Sequence, residues 1–137
     1  MIKYLLDTNI WSMWAKEVPS VVNNVDKHAD DGIAISVVTA CEAFYGWAKE
    51  VRTCRRSMIV KVYTEMMHEI DFMRDATVVP FTGQSLAIYQ KLSLRYSIPD
   101  KADLRIAAIA VEHDMILVTR NTKDFINIKE LTIVDWA

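Results

Sequence analysis

Apolar and polar positions alternate along this chain in two different rhythms. Short apolar runs rich in β-branched residues occur at Lys3 to Leu6, Ile33 to Ser36, Val78 to Pro80, Met115 to Thr119 and Thr132 to Val134. Runs of this length and composition read as strands. Between them the period lengthens. From Thr53 to Ile70, the residues Ile59, Val62, Tyr63, Met66 and Ile70 recur at spacings of three and four, which predicts one helix with a single apolar stripe. Leu86, Tyr89, Leu92 and Tyr96 repeat the pattern between Gln84 and Tyr96. Ile98-Pro99-Asp100 then interrupts it, because proline disfavours helix in the residue before it. A new helix is expected from Asp100, with Leu104, Ala107, Ala108 and Val111 facing inward. Strands alternating with helices argue for βα units, that is, an α/β fold with a mostly parallel sheet flanked by helices.

At 137 residues the chain fits one domain, expected to run over 1–137, with no repeat, low-complexity tract or linker where a second would begin. Apolar residues make up 52%, which excludes a disordered chain, and three glycines with three prolines are few for the many turns of an all-β fold. A formal charge of −2 gives no field that binds nucleic acid by itself, so any such binding needs locally clustered cations. Cys41 and Cys54 form no CxxC pair and have no histidine nearby, as expected of reduced thiols in a cytoplasmic protein. The opening Met1–Asp7 is too short an apolar stretch for a signal peptide, and no run approaches the roughly 20 residues of a membrane helix. A soluble protein without a membrane partner is expected.

Candidate chemistry lies in the acids. Asp7 closes the first strand, where a carboxylate is held on rigid scaffold; Thr8 and Asn9 follow and can cap the next helix or orient the carboxylate, although Asp7 can equally serve as the cap. Glu42 lies in Val37–Trp47, apolar on almost every face, so this helix is expected to be buried and its glutamate costly unless it is used, the alternatives being an ion pair with a basic residue or a partly exposed face. Gly46, one turn on, is expected to leave space for a close approach beside it. Asp103 falls in the first turn of the third helix, a position the helix dipole favours on its own. Asp124 follows the last long apolar segment, in Thr119-Arg120-Asn121-Thr122-Lys123-Asp124. Strand ends of a parallel sheet converge on one edge, so these acids can meet there. At about 5 Å and an effective dielectric near 20, each pair repels by roughly 3 kcal/mol. One acid should then hold its proton to unusually high pH, and a hard divalent cation such as Mg2+ is the natural counter-ion. That points to a metal-dependent hydrolase.

Phosphate cradling by a P-loop fails for want of a glycine-rich segment. A dehalogenase-type phosphatase needs a second Asp where Asn9 stands, and a receiver-like domain needs paired acids where Lys3-Tyr4 stands. His28, His68 and His113 lie in polar surroundings and are expected to face solvent; none is placed as a general base.

Tyr4-Leu5-Leu6-Asp7-Thr8-Asn9-Ile10, Ser36–Glu42 with Gly46, Asp103–Ala108, and Thr119-Arg120-Asn121 with Asp124-Phe125 together resemble the PIN-domain ribonucleases. Within these the chain is most similar to the VapC-type toxins of toxin–antitoxin pairs, from residue 2 to Val134-Asp135-Trp136. The resemblance implies a three-layer PIN-like domain with a parallel sheet of about five strands. It implies Mg2+, or Mn2+, held by Asp7, Glu42 and Asp103, and hydrolysis of RNA leaving a 5′-phosphate and a 3′-hydroxyl. Many relatives carry Asp where this chain has Asn121; here Asn121 can bind a metal-bound water, and Asp124 can supply the fourth charge or cap a short helix. Candidate substrate-binding residues are Thr8, Asn9, Thr119, Arg105 and Arg120, with Lys101 and Lys123 bordering the acids and Lys49, Arg52, Arg55 and Arg56 forming a second basic cluster. Arginine suits phosphate by its bidentate fork. Trp11, Trp14 and Trp47 are expected in the core or an interface. The implied partners are a small cognate antitoxin and a second copy of the chain in a homodimer. The rival expectation is a catalytically idle PIN-like module that binds protein.

Overall fold

Five short strands and seven α-helices make up the computed structural model, which describes residues 1–137. The strands are β1 (Tyr4–Leu6), β2 (Ile33–Ser36), β3 (Thr77–Val79), β4 (Ile116–Val118) and β5 (Thr132–Val134). They lie in the order β3-β2-β1-β4-β5, every pair parallel. The helices are α1 (Thr8–Ala15), α2 (Pro19–His28), α3 (Val37–Thr53), α4 (Ile59–Arg74), α5 (Gly83–Arg95), α6 (Lys101–Glu112) and α7 (Thr122–Phe125). From β1 the chain moves outward to β2 and β3, then returns past β1 to lay down β4 and β5. The order therefore reverses between β1 and β4, and at such a switch point the strand ends open into a crevice.

Both faces of the sheet are covered, so the strands are apolar throughout rather than alternating. Leu5, Ala34 and Leu117 face one core, packed against Leu104, Ala107 and Ala108 of α6 and Leu92 of α5. Leu6, Ile35 and Val118 face the other, with Ile10 and Trp11 of α1 and Val21 and Val25 of α2. Alanines at 107, 108 and 110 let α6 lie close to the strands, and the six residues Leu104 and Ile106–Ala110 are all buried, a wider face than the stripe expected. Gly32, just before β2, has φ +86°, and a Cβ there would stand 2.9 Å from the Ile2 Cα, so both conformation and space demand glycine.

Several expectations need correction. The helix read from Thr53 starts later: α3 ends at Thr53, Cys54 and Arg55 are extended, and after a 3-10 turn (Arg56–Met58) α4 runs from Ile59 to Arg74 and carries the whole expected stripe. The apolar spacing carried no sign of that break. Tyr63 on its stripe is half exposed, as is Leu86 on that of α5. Helix α3 is not buried: only Thr39 and Ala40 are, while Phe44 and Tyr45 are 46% and 67% exposed. Seventeen residues of helix span about 26 Å, twice the reach of a four-residue strand, so the second half of α3 overhangs the sheet. His28 does not simply face solvent; it is half-buried and stacks on Trp136 at 4.9 Å, with its Nδ1 2.8 Å from the Asn24 carbonyl.

Candidate active site

Register places the site. Leu6 pairs with Ile35 and Val118, and Val118 with Val134, so the next residues along the carboxyl edge, Ser36, Asp7, Thr119 and Asp135, form one row. Backbone bonds hold it: the Asp7 N–H donates to Val118 O at 3.0 Å and the Thr119 N–H to Val134 O at 2.9 Å. Asp7 is 3% exposed and is also the N-cap of α1, its Oδ1 accepting from the Ile10 N–H at 2.9 Å. The cap and the site are thus the same residue. Burial pushes the Asp7 carboxyl above the usual range; hydrogen bonds from Thr119 and the Ile10 N–H oppose this, while the charges of Glu42 and Asp135 add to it.

Glu42 reaches the site from the first half of α3, which Ser36 starts by capping the Thr39 N–H at 3.1 Å. Its Oε1 accepts a hydrogen bond from the Thr8 hydroxyl at 2.5 Å, and Thr8 lies 3.2 Å from the Thr39 hydroxyl. No basic residue pairs with Glu42; a hydroxyl holds it. Gly46 is exposed, and nothing lies within 4 Å of a Cβ built on it, so the expected close approach beside Glu42 is absent. Asp103, in the first turn of α6, donates its N–H to the cap residue Asp100 at 3.1 Å. Its carboxyl is pushed up to about 6, chiefly by burial, then by the charges of Asp100, Asp7, Glu42 and Asp124.

Asp7, Glu42 and Asp124, from three other segments, therefore all place their charge on Asp103. Asp124 belongs to them, and it does not cap α7: its Oδ2 accepts from the Asn121 amide at 2.7 Å, while Thr119 Oγ1 accepts from the Asn121 N–H at 2.9 Å. Asn9 is exposed at the mouth, and Arg120 lies beside it across a small hollow. Arg105 departs from expectation. Its guanidinium lies 5.6 Å from the Tyr89 ring centroid on α5, and two residues of helix turn it about 200° from Asp103. Lys101, Lys123 and the Lys49, Arg52, Arg55, Arg56 cluster are all exposed.

Two acids went unremarked in the sequence. Asp135 follows β5 as Asp7 follows β1, which was a usable signal; it also accepts from the Ala137 N–H at 2.8 Å. Asp100 was read only as a helix start. No three of the acidic, histidine or cysteine groups stand close enough to ligate one ion together. The donor set still fits a hard divalent cation, because it is all oxygen and carries unrelieved negative charge. Mg2+ in particular keeps several waters and takes only one or two carboxylates directly.

Beside the acids runs a groove between α1, α3 and α4. Its first part, about 450 Å3, is lined by Glu42, Glu50, Glu65 and Glu69 against a single cation, Lys16. The second part shares Lys16, Trp47, Glu65 and Glu69 and adds the apolar Trp14, Val22 and Phe72. Trp47 donates its ring N–H to Glu69 at 2.7 Å, whereas the buried Trp11 ring N–H in the groove wall has no partner. Trp11, Trp14 and Phe72 form one aromatic cluster, with centroids 4.7–5.8 Å apart.

A doubly covered parallel sheet with acids gathered at its switch point defines a class of α/β protein with an acidic, all-oxygen site. The chain belongs to the PIN domain family, whose model matches residues 4–131. It is 29% identical over 137 residues, the whole of both chains, to a tRNA(fMet)-specific endonuclease VapC of Shigella flexneri. To ribonuclease VapC2 of Rickettsia felis it is 30% identical over 135 residues, 97% of each. A crystal structure of VapBC2 from Rickettsia felis, bound to a DNA fragment from its promoter, superposes on all of both chains with a TM-score of 0.81 at 27% identity. No helix is long and apolar enough to cross a membrane.

Proposed function

We propose that this chain is a ribonuclease, the toxin of a toxin–antitoxin pair, and that it hydrolyses RNA phosphodiesters with Mg2+, or Mn2+, at the carboxylate site. The observation that carries this reading is the gathering of Asp7, Glu42 and Asp124 around the half-buried Asp103, whose carboxyl is pushed up to about 6 by burial first and by these neighbouring charges second. Relatives named endonuclease or ribonuclease, similar over essentially their full length, support it.

Asp7, Glu42 and Asp103 would hold the cation, one or two of them directly and the rest through its retained waters, with Asp124 as the fourth charge. When bound, it would offset charge growing on the phosphoryl oxygens and acidify a water for in-line attack. The chain's own residues do the rest. Thr8 fixes the Glu42 carboxylate, Thr119 and the Ile10 N–H fix Asp7, and Asn121 fixes Asp124, so the acids meet the substrate already oriented. Asn9 and Arg120 lie where they can meet the RNA backbone or bases. Arg105 contributes at longer range, through its charge. A cytoplasmic location follows from this substrate and agrees with two free thiols.

The antitoxin reading rests on the groove. Its carboxylates outnumber its cations and its far end is apolar. A basic, partly apolar segment of a small cognate antitoxin would match both. A homodimer fits the half-exposed Phe44, Tyr45 and Tyr63.

The decisive experiment incubates purified protein with labelled RNA and Mg2+ beside the Asp7→Asn variant and an EDTA control. Cleavage that needs the metal and falls by about a hundredfold or more in the variant is expected, since even supporting residues of metal sites cost 10–100-fold. Equal cleavage by both proteins would mean a contaminating nuclease and remove the enzymatic reading, leaving the idle protein-binding module.

A further inference from the structure

A small hollow opens beside the carboxylates, lined by Asn9, Ser12, Met13, Arg120 and Asn121. It adjoins the acidic groove, with which it shares Asn9 and Ser12, but differs in character: no acid lines it. Its position is fixed by elements already described, since Asn9 and Ser12 lie on α1, started by Asp7, and Arg120 and Asn121 lie on the loop after β4, started by Thr119. Asn121 joins it directly to the site, because one N–H of its amide is given to Asp124 while its carbonyl oxygen accepts no hydrogen bond. Arg120 is exposed and belongs to no ion pair. Its guanidinium, the Asn9 amide and the Ser12 hydroxyl thus present donors around a space of about 430 Å3, open to solvent and roomy enough for one planar base. Met13 is half-buried, packed at its root against the core, and supplies an apolar, adaptable surface.

We infer that this hollow is a nucleobase subsite, and that it selects guanine at a nucleotide flanking the scissile phosphodiester. The inference rests on the ribonuclease reading above and names what that site would distinguish. Guanine presents two adjacent acceptors, O6 and N7, and an arginine fork matches them bidentately, the commonest specific contact to a base edge. Adenine offers a donor where O6 stands, which would meet the guanidinium donor against donor. RNA is read by sequence mainly where its bases are unpaired and can be splayed onto such surfaces, so the substrate segment is single-stranded. The free Asn121 oxygen can accept from the guanine N1–H or exocyclic amine.

The test has two arms. In the first, wild-type protein with Mg2+ cleaves short single-stranded RNAs identical except for the base on either side of the cut, including 7-deazaguanine in place of guanine. In the second, the Asp7→Asn protein binds the same RNAs, followed by fluorescence anisotropy. Guanine is expected to be favoured by about tenfold or more in both arms, and 7-deazaguanine to lose much of that advantage. Arg120→Met and Asn9→Ala should each erase most of the preference while circular dichroism stays native. Equal handling of all four bases, or a preference that survives both substitutions, overturns the inference and leaves the nuclease reading standing. Guanine-selective binding without cleavage of any RNA would support the subsite and strike the nuclease reading alone.

Discussion

Thr8 sits between two carboxylates and touches only one. It follows Asp7 in the chain, yet its hydroxyl is spent on Glu42, 34 residues away, at 2.5 Å. A short bond from a neutral donor to a carboxylate orients it without adding a competing charge. Replacing Thr8 with Val keeps the shape and removes the donor. Calorimetric titration of Mg2+ into Thr8→Val should show an affinity about 10–100-fold weaker than wild type, with the fold unchanged. An unaltered isotherm would mean that Glu42 needs no such support. Asp7 and Asp103 could be found in the sequence because a strand end and a helix start are local signals. Thr8's partner could not, because a hydroxyl carries no pattern that says which distant acid it meets. Asn121 is similar: its neutrality looked like a departure from the family, whereas its amide holds Asp124, the acid one turn on.

Among the elements, burial separates what periodicity alone runs together. Helix α6 is apolar and buried because it is enclosed between the sheet and α5, which share its core. Helix α3 is as apolar in sequence, but half of it extends past the strands. Period and composition report which face of a helix is greasy; they do not report whether anything covers it. That is why the strands, their order of appearance and α6 could be read from the chain, while the exposure of α3 and the break before α4 could not. The same contrast sets stability. Ile106, fully buried on α6, should cost about 2–5 kcal/mol when changed to Ala, whereas Val60, 75% exposed on α4, should change stability by less than about 0.5 kcal/mol. Helix α5 depends on its cap: the Thr82 Oγ1 accepts from the Ser85 N–H at 3.2 Å, the Ser85 Oγ accepts from the Thr82 N–H at 2.9 Å, and Glu112 of α6 accepts from both hydroxyls. Thr82→Ala should therefore lose about 1 kcal/mol, or somewhat more through the lost tie to α6. Urea unfolding of the three variants measures all of this, and a Val60→Ala loss as large as that of Ile106→Ala would overturn the assignment of the two faces.

For the molecule as a whole, the acids couple folding, protons and the cation. Asp103 has a folded-state value of about 6 against an ordinary 3.8, and Asp7 is shifted in the same direction. Below about pH 3.8 both folded and unfolded chains carry the Asp103 proton. Between 3.8 and about 6 the unfolded chain has lost it and the folded chain keeps it, so stability contributed by this group falls as pH rises. Above about 6 the penalty is complete, because the folded protein must then hold the charge among other acids. Metal-free Asp103→Asn protein should consequently lose less stability than wild type on going from pH 4.5 to 7. A divalent cation acts in the opposite sense: it binds the ionised form, so it competes with the proton and stabilises more at pH 7.5 than at pH 5. Thermal melts of wild type and Asp103→Asn, each with and without Mg2+, test both halves. Parallel pH profiles for the two proteins would remove Asp103 from the coupled set. A Mg2+ shift of equal size at pH 5 and 7.5 would place the cation away from these carboxylates. The fold tolerates this penalty because the sheet edge is fixed by two covered cores, so the acids are held together rather than allowed to part.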